Sequence, residues 1–312
     1  MLKLALRRLM VAPLLVAVVT FVIFCLVAIM PGDPAVLLAG DDLSLVPKIR
    51  EAMGLDKPLL MRYAEWAAGA ISGDLGRSFQ TGQVAVSALL VSALPVTLSL
   101  VAIAMVISII FALVFGILAG VNEGKWIDRV ISAFCAIAIA TPTFWLGYLL
   151  VLAFAVKLGW LPSLGYTAIS EGVLPWLRNL ILPALTLAPA SIAILTLQLR
   201  GGLLTVFDRP YMLSAQAKGI SGGRLLFNHA LRNAAIPAVT LLGFQLSSLI
   251  GGSVLVEHVF SIPGIGTLAI NATLNGDLPV VLGIITTTTV LVVLINAISD
   301  LIYGYLNPRI RA

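Results

Sequence analysis

The sequence predicts an all-α polytopic membrane protein with six transmembrane helices. Of its 312 residues, 60% are hydrophobic and only 11% are charged, and the mean hydropathy is +1.08. Soluble domains carry about 25% charged residues. Six apolar runs are long enough to cross a hydrocarbon core, which takes about 20 residues. They cover 9–30, 95–119, 130–156, 180–199, 239–256 and 279–303.

The basic residues predict which ends of these runs face the cytoplasm. Of the 19 Lys and Arg residues, 12 lie on the side of the N-terminus and 7 on the other side, five of the latter in one long loop. Because cytoplasmic loops carry an excess of Lys and Arg, both termini are predicted to be cytoplasmic. The first run is longer than the apolar region of a signal peptide and lacks a small-residue cleavage site, so we expect it to be retained as a span.

The first two runs are separated by an outer region, 31–94, that is too long for a simple connector. Pro58 predicts a helix start, and Leu59, Tyr63, Trp66 and Ala70 then recur at spacings of three and four, as on one face of a helix. This stripe should lie on the membrane surface or against the other helices. The region is therefore either a contact surface for a partner or a cap packed on the bundle.

Two later runs carry residues that predict close packing between helices. Pro183 and Pro189 interrupt the fourth run, and prolines in a span are tolerated where neighbours satisfy the freed carbonyls, so this helix is expected inside the bundle. The fifth run has Gly243, Ser247 and Gly251 at four-residue intervals. Small residues on one face let another helix approach closely.

A polar and basic island separates the fourth and fifth runs at 211–237, read as YMLSAQAKGISGGRLLFNHALRNAAIP. Helix-forming residues extend to Lys218, Gly219 suits a helix C-terminus, and Ser221 can cap a second helix that runs until Pro237. The bases predict that the island lies in the cytoplasm. It is either an ordinary basic loop or a surface for a partner.

The chain lacks the motifs that catalysis would need. The nearest imitation of a phosphate-binding loop, at 120–126, has the wrong spacing, so we do not expect ATP hydrolysis by this chain alone. His229 and His258 fall on opposite sides of the membrane, which predicts no metal site. Cys25 and Cys135 lie within apolar runs and are interpreted as small core residues. A membrane hydrolase is disfavoured because no nucleophile motif appears, and nucleic acid because the bases are spread out.

Polar groups within the spans are candidates for a solute pathway. Ionisable groups are costly there, so Asp300, four residues after Asn296, could serve a proton-coupled carrier or could simply pack against a neighbouring helix. The uncharged groups could bind a peptide-like solute transiently or could join helices to one another. The candidates for pathway or packing are Gln198, Gln245, Ser247, Gly251, Thr287, Asn296 and Asp300.

Many short motifs occur in an order that resembles one transporter family. They are Arg7-Arg8, Pro31-Gly32-Asp33-Pro34, Gly54-Leu55-Asp56-Lys57-Pro58, Arg62-Tyr63, Trp66, Gly73-Asp74-Leu75-Gly76, Ser78-Phe79, Ala215-Gln216-Ala217-Lys218-Gly219, His229-Ala230-Leu231-Arg232-Asn233, Pro237, Gly251-Gly252, Glu257, Val259-Phe260, Pro263-Gly264-Ile265-Gly266, Asp277, Pro279, Asn296, Asp300, Tyr303 and Pro308-Arg309. With these motifs the chain resembles, nearly end to end, a permease subunit of the bacterial ATP-binding-cassette importers for dipeptides, oligopeptides and related solutes. It is most similar to the first of the two permeases, which has the long outer loop. Gln216, where the family often has Arg, and Gly222-Gly223, where longer polar side chains are common, depart from the pattern.

The resemblance implies a fold, partners and a division of the chain. It implies the type I importer transmembrane fold in a bacterial inner membrane, with 1–94 as first helix plus periplasmic loop, 95–305 as a five-helix core with a coupling loop at 208–237, and 306–312 as a cytoplasmic tail. The implied partners are a second permease, two ATPase subunits that bind ATP and Mg²⁺, and a periplasmic or lipid-anchored solute-binding protein. This chain itself would bind no cofactor and no metal.

The island would then be the loop that docks on the ATPase and transmits its movement. Its implied coupling residues are Ala215, Ala217, Lys218, Gly219, Ser221, Arg224, His229, Arg232 and Asn233. The solute would be a dipeptide, an oligopeptide, glutathione or a nickel chelate, and the sequence does not choose among them. The alternative function is a secondary transporter driven by protons or sodium, which is expected to carry paired acids or broken helices at midplane.

Overall fold

The computed structural model describes residues 2–29, 34–39, 42–52 and 54–306, and this part of the chain is helical apart from its connecting loops, two short 3₁₀ turns and an isolated bridge between Arg77 and Ala85. Its helices, in order, are α1 (Leu2–Ile29), α2 (Pro34–Ala39), α3 (Val46–Ala52), α4 (Leu59–Ile71), α5 (Val86–Val121), α6 (Trp126–Ala140), α7 (Thr143–Lys157), α8 (Val173–Phe207), α9 (Pro210–Ala217), α10 (Gly222–Val259), α11 (Ile265–Leu274) and α12 (Leu278–Leu306).

The long helices account for most of the predicted spans. α5, α8, α10 and the 278–299 part of α12 are each long and apolar enough to cross a membrane, and α6 with α7 qualifies as a bent pair. Residues 9–29 of the predicted first span lie within α1, whose apolar stretch among the described side chains is the shorter Pro13–Leu26. The described residues thus contain four or five spans by length and composition, and a count of six stays a prediction.

The third predicted span, 130–156, is not one continuous helix. α6 and α7 are bent by 105° at a break between them. Thr141 leaves the helix with ψ 123°, because a residue that precedes proline is disfavoured in the helical region. Pro142 is the N-cap of α7, where its missing N–H costs no helical hydrogen bond.

The chain forms two compact units. The larger unit comprises Leu98–Ile262 together with the part of α12 from Ile295 onward. The smaller unit comprises Leu2–Thr97 and Pro263–Leu294. Each is described by itself below.

Within the larger unit, α8 is the central helix. About 67% of its most apolar stretch is buried, against 22–39% for the other three long spans, which confirms that the proline-containing fourth run packs inside the bundle. It contacts α6, α7 and α10. Gly116 and Gly120 of α5 lie directly against Leu199 and Leu203 of α8, respectively. A methyl group added to either glycine would lie 2.9 Å from the side chain of the leucine that faces it. The glycines therefore set the distance between these two helices.

Within the smaller unit, the predicted stripe of α4 packs on α1. The Tyr63 hydroxyl donates to the carbonyl of Ala17 at 2.8 Å and lies 3.0 Å from the Thr20 hydroxyl. The Tyr63 ring stands 5.1 Å from that of Phe21 and 5.6 Å from that of Phe24, in edge-to-face geometry. The stripe is thus held against a neighbouring helix, as one of the two alternatives for this region requires.

A buried carboxylate joins two distant loops of the smaller unit. Asp277, which is 3% exposed, accepts hydrogen bonds from the Ser78 hydroxyl at 2.5 Å and from the backbone amides of Phe79 at 3.2 Å and Gln80 at 3.3 Å. Three donors satisfy the buried charge. Residues 78–80 are therefore fixed to the turn that begins α12.

Candidate functional site

The island forms a helix, a turn and a second helix. Pro210 occupies the first position of α9, where its fixed φ suits a helix start. α9 ends at Ala217, and Gly219 adopts φ +76°, a conformation that glycine takes without strain. Ser221 is the N-cap of the second helix by position, with extended backbone, but its side chain makes no capping hydrogen bond. The predicted turn at Gly219 is confirmed.

The predicted end of the second helix at Pro237 is wrong. α10 runs without a break from Gly222 through Pro237 to Val259, so that the second island helix and the fifth span are one helix. Proline removes one hydrogen bond of a helix without necessarily ending it where neighbours support the backbone. A turn of π-helix, Leu225–Ala230, lies within the island part of this helix. The island and the fifth span are therefore connected by continuous helix.

A hydrophobic cluster anchors the island to the end of α8. Its buried members come from α8, α9 and α10: Leu199, Leu203, Val206, Met212, Ala215, Leu225, Ala230 and Ala234. Met212 and Ala230 are fully buried, and Ala215 is 9% exposed. Ala215, one of the residues implied for coupling, is therefore a packing residue of this anchor. Its small size lets α9 lie close to its neighbours.

Asn233 braces the island across the two helices. Its amide nitrogen donates to the Tyr211 hydroxyl at 3.0 Å and to the carbonyl of His229 at 3.1 Å. Tyr211 lies on α9 and Asn233 on α10, so the bond to Tyr211 joins the first helix to the second, whereas the bond to the His229 carbonyl stays within α10. His229 is half-buried beside this brace. Of the implied coupling residues, Asn233 is thus the one whose side chain connects the two helices of the island.

The outward face of the island combines basic and apolar side chains. Ala217, Lys218, Gly219, Ser221, Arg224 and Arg232 are all exposed, as a partner surface requires. Leu213 is 63% exposed and Phe227 60% exposed. Sequence reasoning missed these two hydrophobes, although their presence in an otherwise polar segment was a readable signal. Apolar side chains flanked by charges are typical of interaction surfaces.

An ion pair between α6 and α8 was also missed by sequence reasoning. Arg200 donates two hydrogen bonds to Asp128, Nε to Oδ1 at 2.6 Å and Nη2 to Oδ2 at 2.7 Å. The backbone amide of Gly124 adds a third bond, at 2.9 Å. The side chain of Asp128 is 6% exposed and that of Arg200 is 25% exposed. The pair joins the first turn of α6 to α8, and Arg200 lies eleven residues before the island begins at Tyr211.

The candidate pathway residues are divided between the two units. Gln245 is 1% exposed, its Oε1 lies 3.4 Å from the Ser191 hydroxyl, and its Nε2 has no hydrogen-bond partner within the described part of the chain. The Ser247 hydroxyl donates to the Gly243 carbonyl of its own helix. Gln198 and Asn296 are half-buried in the larger unit, Thr287 is half-buried in the smaller unit, and the side chain of Asp300 lies outside the described residues. Among these candidates, Gln245 carries a buried donor that no described residue satisfies.

The small residues predicted to line one face of the fifth span differ in how closely they are packed. A methyl group on Gly243 would overlap the Ser299 hydroxyl of α12, so this glycine marks a close approach of two helices. Gly251 is exposed, and a methyl group added to it would have no described atom within 4 Å. The interpretation of close packing is therefore confirmed at Gly243 and does not extend to Gly251.

Comparison with known proteins gives family and fold. Residues 112–312 match the family described as "Binding-protein-dependent transport system inner membrane component", and residues 1–101 match the N-terminal region described for such membrane components. "Probable peptide ABC transporter permease protein y4tP" of Sinorhizobium fredii is 41% identical over 98% of both chains. "Oligopeptide transport system permease protein AppB" of Bacillus subtilis is 35% identical over 98% of both chains. "Glutathione transport system permease protein GsiC" of Escherichia coli is 36% identical over 94% of both chains.

Solved structures agree in fold at low sequence identity. An inward-facing structure of the MetNI methionine ABC transporter superposes with a TM-score of 0.56 at 20% identity, covering 70% of this chain and 96% of that one. A chain of an amino acid ABC transporter gives a TM-score of 0.54 at 16% identity, covering 70% and 94%. These similarities establish the architecture.

Proposed function

We infer the function from one premise: the chain belongs to the family of binding-protein-dependent transport system inner membrane components. Its fold is that of the membrane subunit of a type I ABC importer, and the chain is a permease subunit. We propose that it forms part of the translocation pathway for peptides or similar small solutes. The three relatives described above are named for a peptide, an oligopeptide and glutathione, which share the amide backbone and charged ends of a peptide.

The observation that carries the proposal is the similarity to peptide permeases over 94–98% of the chain. The alternative, a secondary transporter driven by an ion gradient, has no support among the relatives described above. Buried but uncharged groups such as Gln245 suit a path that binds a zwitterionic solute briefly and releases it. A buried charge would hold such a solute more strongly.

We propose that the island docks on an ATPase subunit and transmits its movement. The hydrophobic anchor and the Asn233 brace make the island rigid, and the continuity of α10 links it to a span. Closure of an ATPase dimer would then tilt that span and switch access from one side of the membrane to the other. A second permease, two ATPase subunits and an external solute-binding protein complete the proposed assembly, with both termini of this chain and the island in the cytoplasm.

Reconstitution in proteoliposomes tests the transport function. The chain is inserted together with the proposed second permease, ATPase subunits and solute-binding protein, and uptake of labelled di- and oligopeptides is measured. We expect uptake to require ATP and all subunits. Uptake by this chain alone under a proton or sodium gradient would contradict the proposal.

Gly219→Pro is expected to abolish coupling between ATP hydrolysis and uptake. Proline fixes φ near −65°, which is incompatible with the +76° of Gly219, so the turn between α9 and α10 must rearrange. We expect peptide uptake to fall at least about tenfold while ATP hydrolysis by the assembled complex continues.

The matched control is Gly222→Pro. Gly222 is the first residue of α10, a position that accepts proline, and the preceding Ser221 already has the extended backbone that proline requires. Uptake should be retained in this variant. Equal uptake by the two variants would show that the turn geometry at Gly219 does not matter for coupling.

Arg224→Glu is expected to weaken docking of the ATPase subunit about tenfold, because it replaces a positive charge on the proposed contact surface by a negative one. The affinity of the purified ATPase for the permease pair is the measurement. Lys125→Glu makes the same kind of change at an exposed base outside the island and should leave the affinity unchanged. A similar loss in both variants would point to net charge and not to the island as the cause.

A further inference from the structure

The connection between α7 and α8, residues 158–172, forms a strap at the end of α8 that lies away from the island. Near its two ends are glycines with positive φ, Gly159 at +64° and Gly172 at +137°. Hinges are commonly a few residues at the ends of elements, and glycine changes its backbone angles at little cost. All residues of the strap are exposed or half-buried. A segment that contributes so little buried surface can open at a small cost in free energy.

Two hydrogen bonds hold the middle of the strap to neighbouring helices. The backbone amide of Gly165 donates to the carbonyl of Phe260, directly after α10, at 2.9 Å. The side-chain nitrogen of Asn179, on α8, donates to the Thr167 hydroxyl at 2.5 Å. The strap is therefore tied to both α8 and α10 by polar contacts and not by a buried apolar side chain.

Phe260 itself lies where α7, α8 and α10 meet. It is 1% exposed. A methyl group added to Gly147 of α7 would lie 3.4 Å from the Phe260 ring and 3.2 Å from the side chain of Thr186 on α8. The ring thus closes the packing of the three helices at this end of the larger unit, and the carbonyl of the same residue holds the strap.

Phe260 also lies at the far end of the helix that begins in the island. α10 has 38 residues. At 1.5 Å per residue its length is about 57 Å, which exceeds the roughly 30 Å of a hydrocarbon core. With the island in the cytoplasm, as proposed above, Phe260 and the strap lie on the outer side of the membrane. A tilt of α10 that starts at the island therefore moves Phe260 relative to the strap.

We propose that the strap and Phe260 form an outer gate of this permease subunit. The hydrogen bond between Gly165 and Phe260 is present while the gate is closed and breaks when α10 tilts, so that the strap swings on its terminal glycines and opens the outer end of α7, α8 and α10 to the solute. This inference rests on the proposed function, because the movement of α10 comes from the ATPase through the island.

Cross-linking the strap to α8 tests whether it has to open during transport. Thr167→Cys and Asn179→Cys are combined in a chain whose native Cys25 and Cys135 are replaced by alanine. The reconstituted complex is treated with a short bis-methanethiosulfonate, which bridges two thiols through reducible disulfides. We expect ATP-driven peptide uptake to fall at least about tenfold and to return when a reductant cleaves the bridge. Each single-cysteine variant, treated in the same way, is the control and should retain its uptake.

Hydrogen exchange of the unmodified complex gives a second measurement, which does not depend on the assembly of the cysteine variants. The strap amides, that of Gly165 among them, should exchange faster during ATP turnover than without ATP, because the bond to Phe260 opens in each cycle. Asn179→Ala removes the tether to Thr167 and should raise the exchange rate of the strap without ATP about fivefold. Ser170→Ala changes an exposed side chain of the same strap and should leave the rate unchanged.

The outcomes separate the gate from the transport function. Reversible loss of uptake on cross-linking, together with faster exchange during turnover, supports the gate. Uptake that persists after cross-linking, or equal exchange with and without ATP, overturns the gate and leaves the transport function in place. Absence of ATP-driven uptake in the unmodified complex would contradict the proposed function and the gate with it.

Discussion

Asp128→Asn is expected to lower the free energy of unfolding by about 2–4 kcal/mol, because it leaves the Arg200 guanidinium without its partner in a largely buried position. Two hydrogen bonds between charged groups, of 2.6 and 2.7 Å, are replaced by at most one from the charged guanidinium to an uncharged amide oxygen. The bond from the Gly124 amide also loses its charged acceptor. Thermal unfolding of the detergent-solubilised chain with its partner subunits is the measurement.

A double-mutant cycle separates the contribution of the ion pair to stability from the contributions of its two residues. Asp128→Asn combined with Arg200→Gln removes both charges, so we expect the double variant to be more stable than Asp128→Asn alone. Lys57→Gln is the control, since the Lys57–Glu65 pair is 44% and 48% exposed and should contribute less than about 1 kcal/mol. If Asp128→Asn were no more harmful than Lys57→Gln, the ion pair would not hold α6 to α8.

Local pattern predicted much of this architecture. Apolar runs predicted the long helices because hydrocarbon cores demand about 20 apolar residues, and that demand is visible in one segment at a time. Gly219 was predicted to end a helix for a local reason as well, and its positive φ confirms this. The stripe that contains Tyr63 followed from helical periodicity alone.

What escaped prediction depends on contacts between distant segments. Asp128 and Arg200 are 72 residues apart, and nothing near either residue reveals the other. Pro142 lies at a break between two helices, whereas Pro183 and Pro237 lie inside continuous helices. The difference depends on the support that neighbouring helices give the backbone. Ala215 belongs to the predicted motif, but only the packing of α8, α9 and α10 shows that it is buried.

A close approach of α8 and α10, at Gly202 and Ala234, connects these packing contacts to the island. A methyl group at Gly202 would lie 2.5 Å from the carbonyl oxygen of Ala234 and 3.3 Å from its carbonyl carbon and Cα. The obstacle is main chain, which cannot rotate away as a side chain can. Ala234 follows Asn233, which braces the island, so any separation of the two helices here disturbs the base of the island.

Gly202→Ala is therefore expected to destabilise the protein by about 3 kcal/mol and to reduce coupled transport. Gly201→Ala provides the matched control on the same helix, because no described atom lies within 4 Å of its added methyl group. Alanine favours helix over glycine, so Gly201→Ala should be neutral or stabilising by up to about 1 kcal/mol. The two substitutions are one position apart, and we expect them to change the stability in opposite directions. Unfolding temperature and the ratio of peptide uptake to ATP hydrolysis are the measurements, and similar values for both variants would show that α8 and α10 tolerate a wider spacing beside the island.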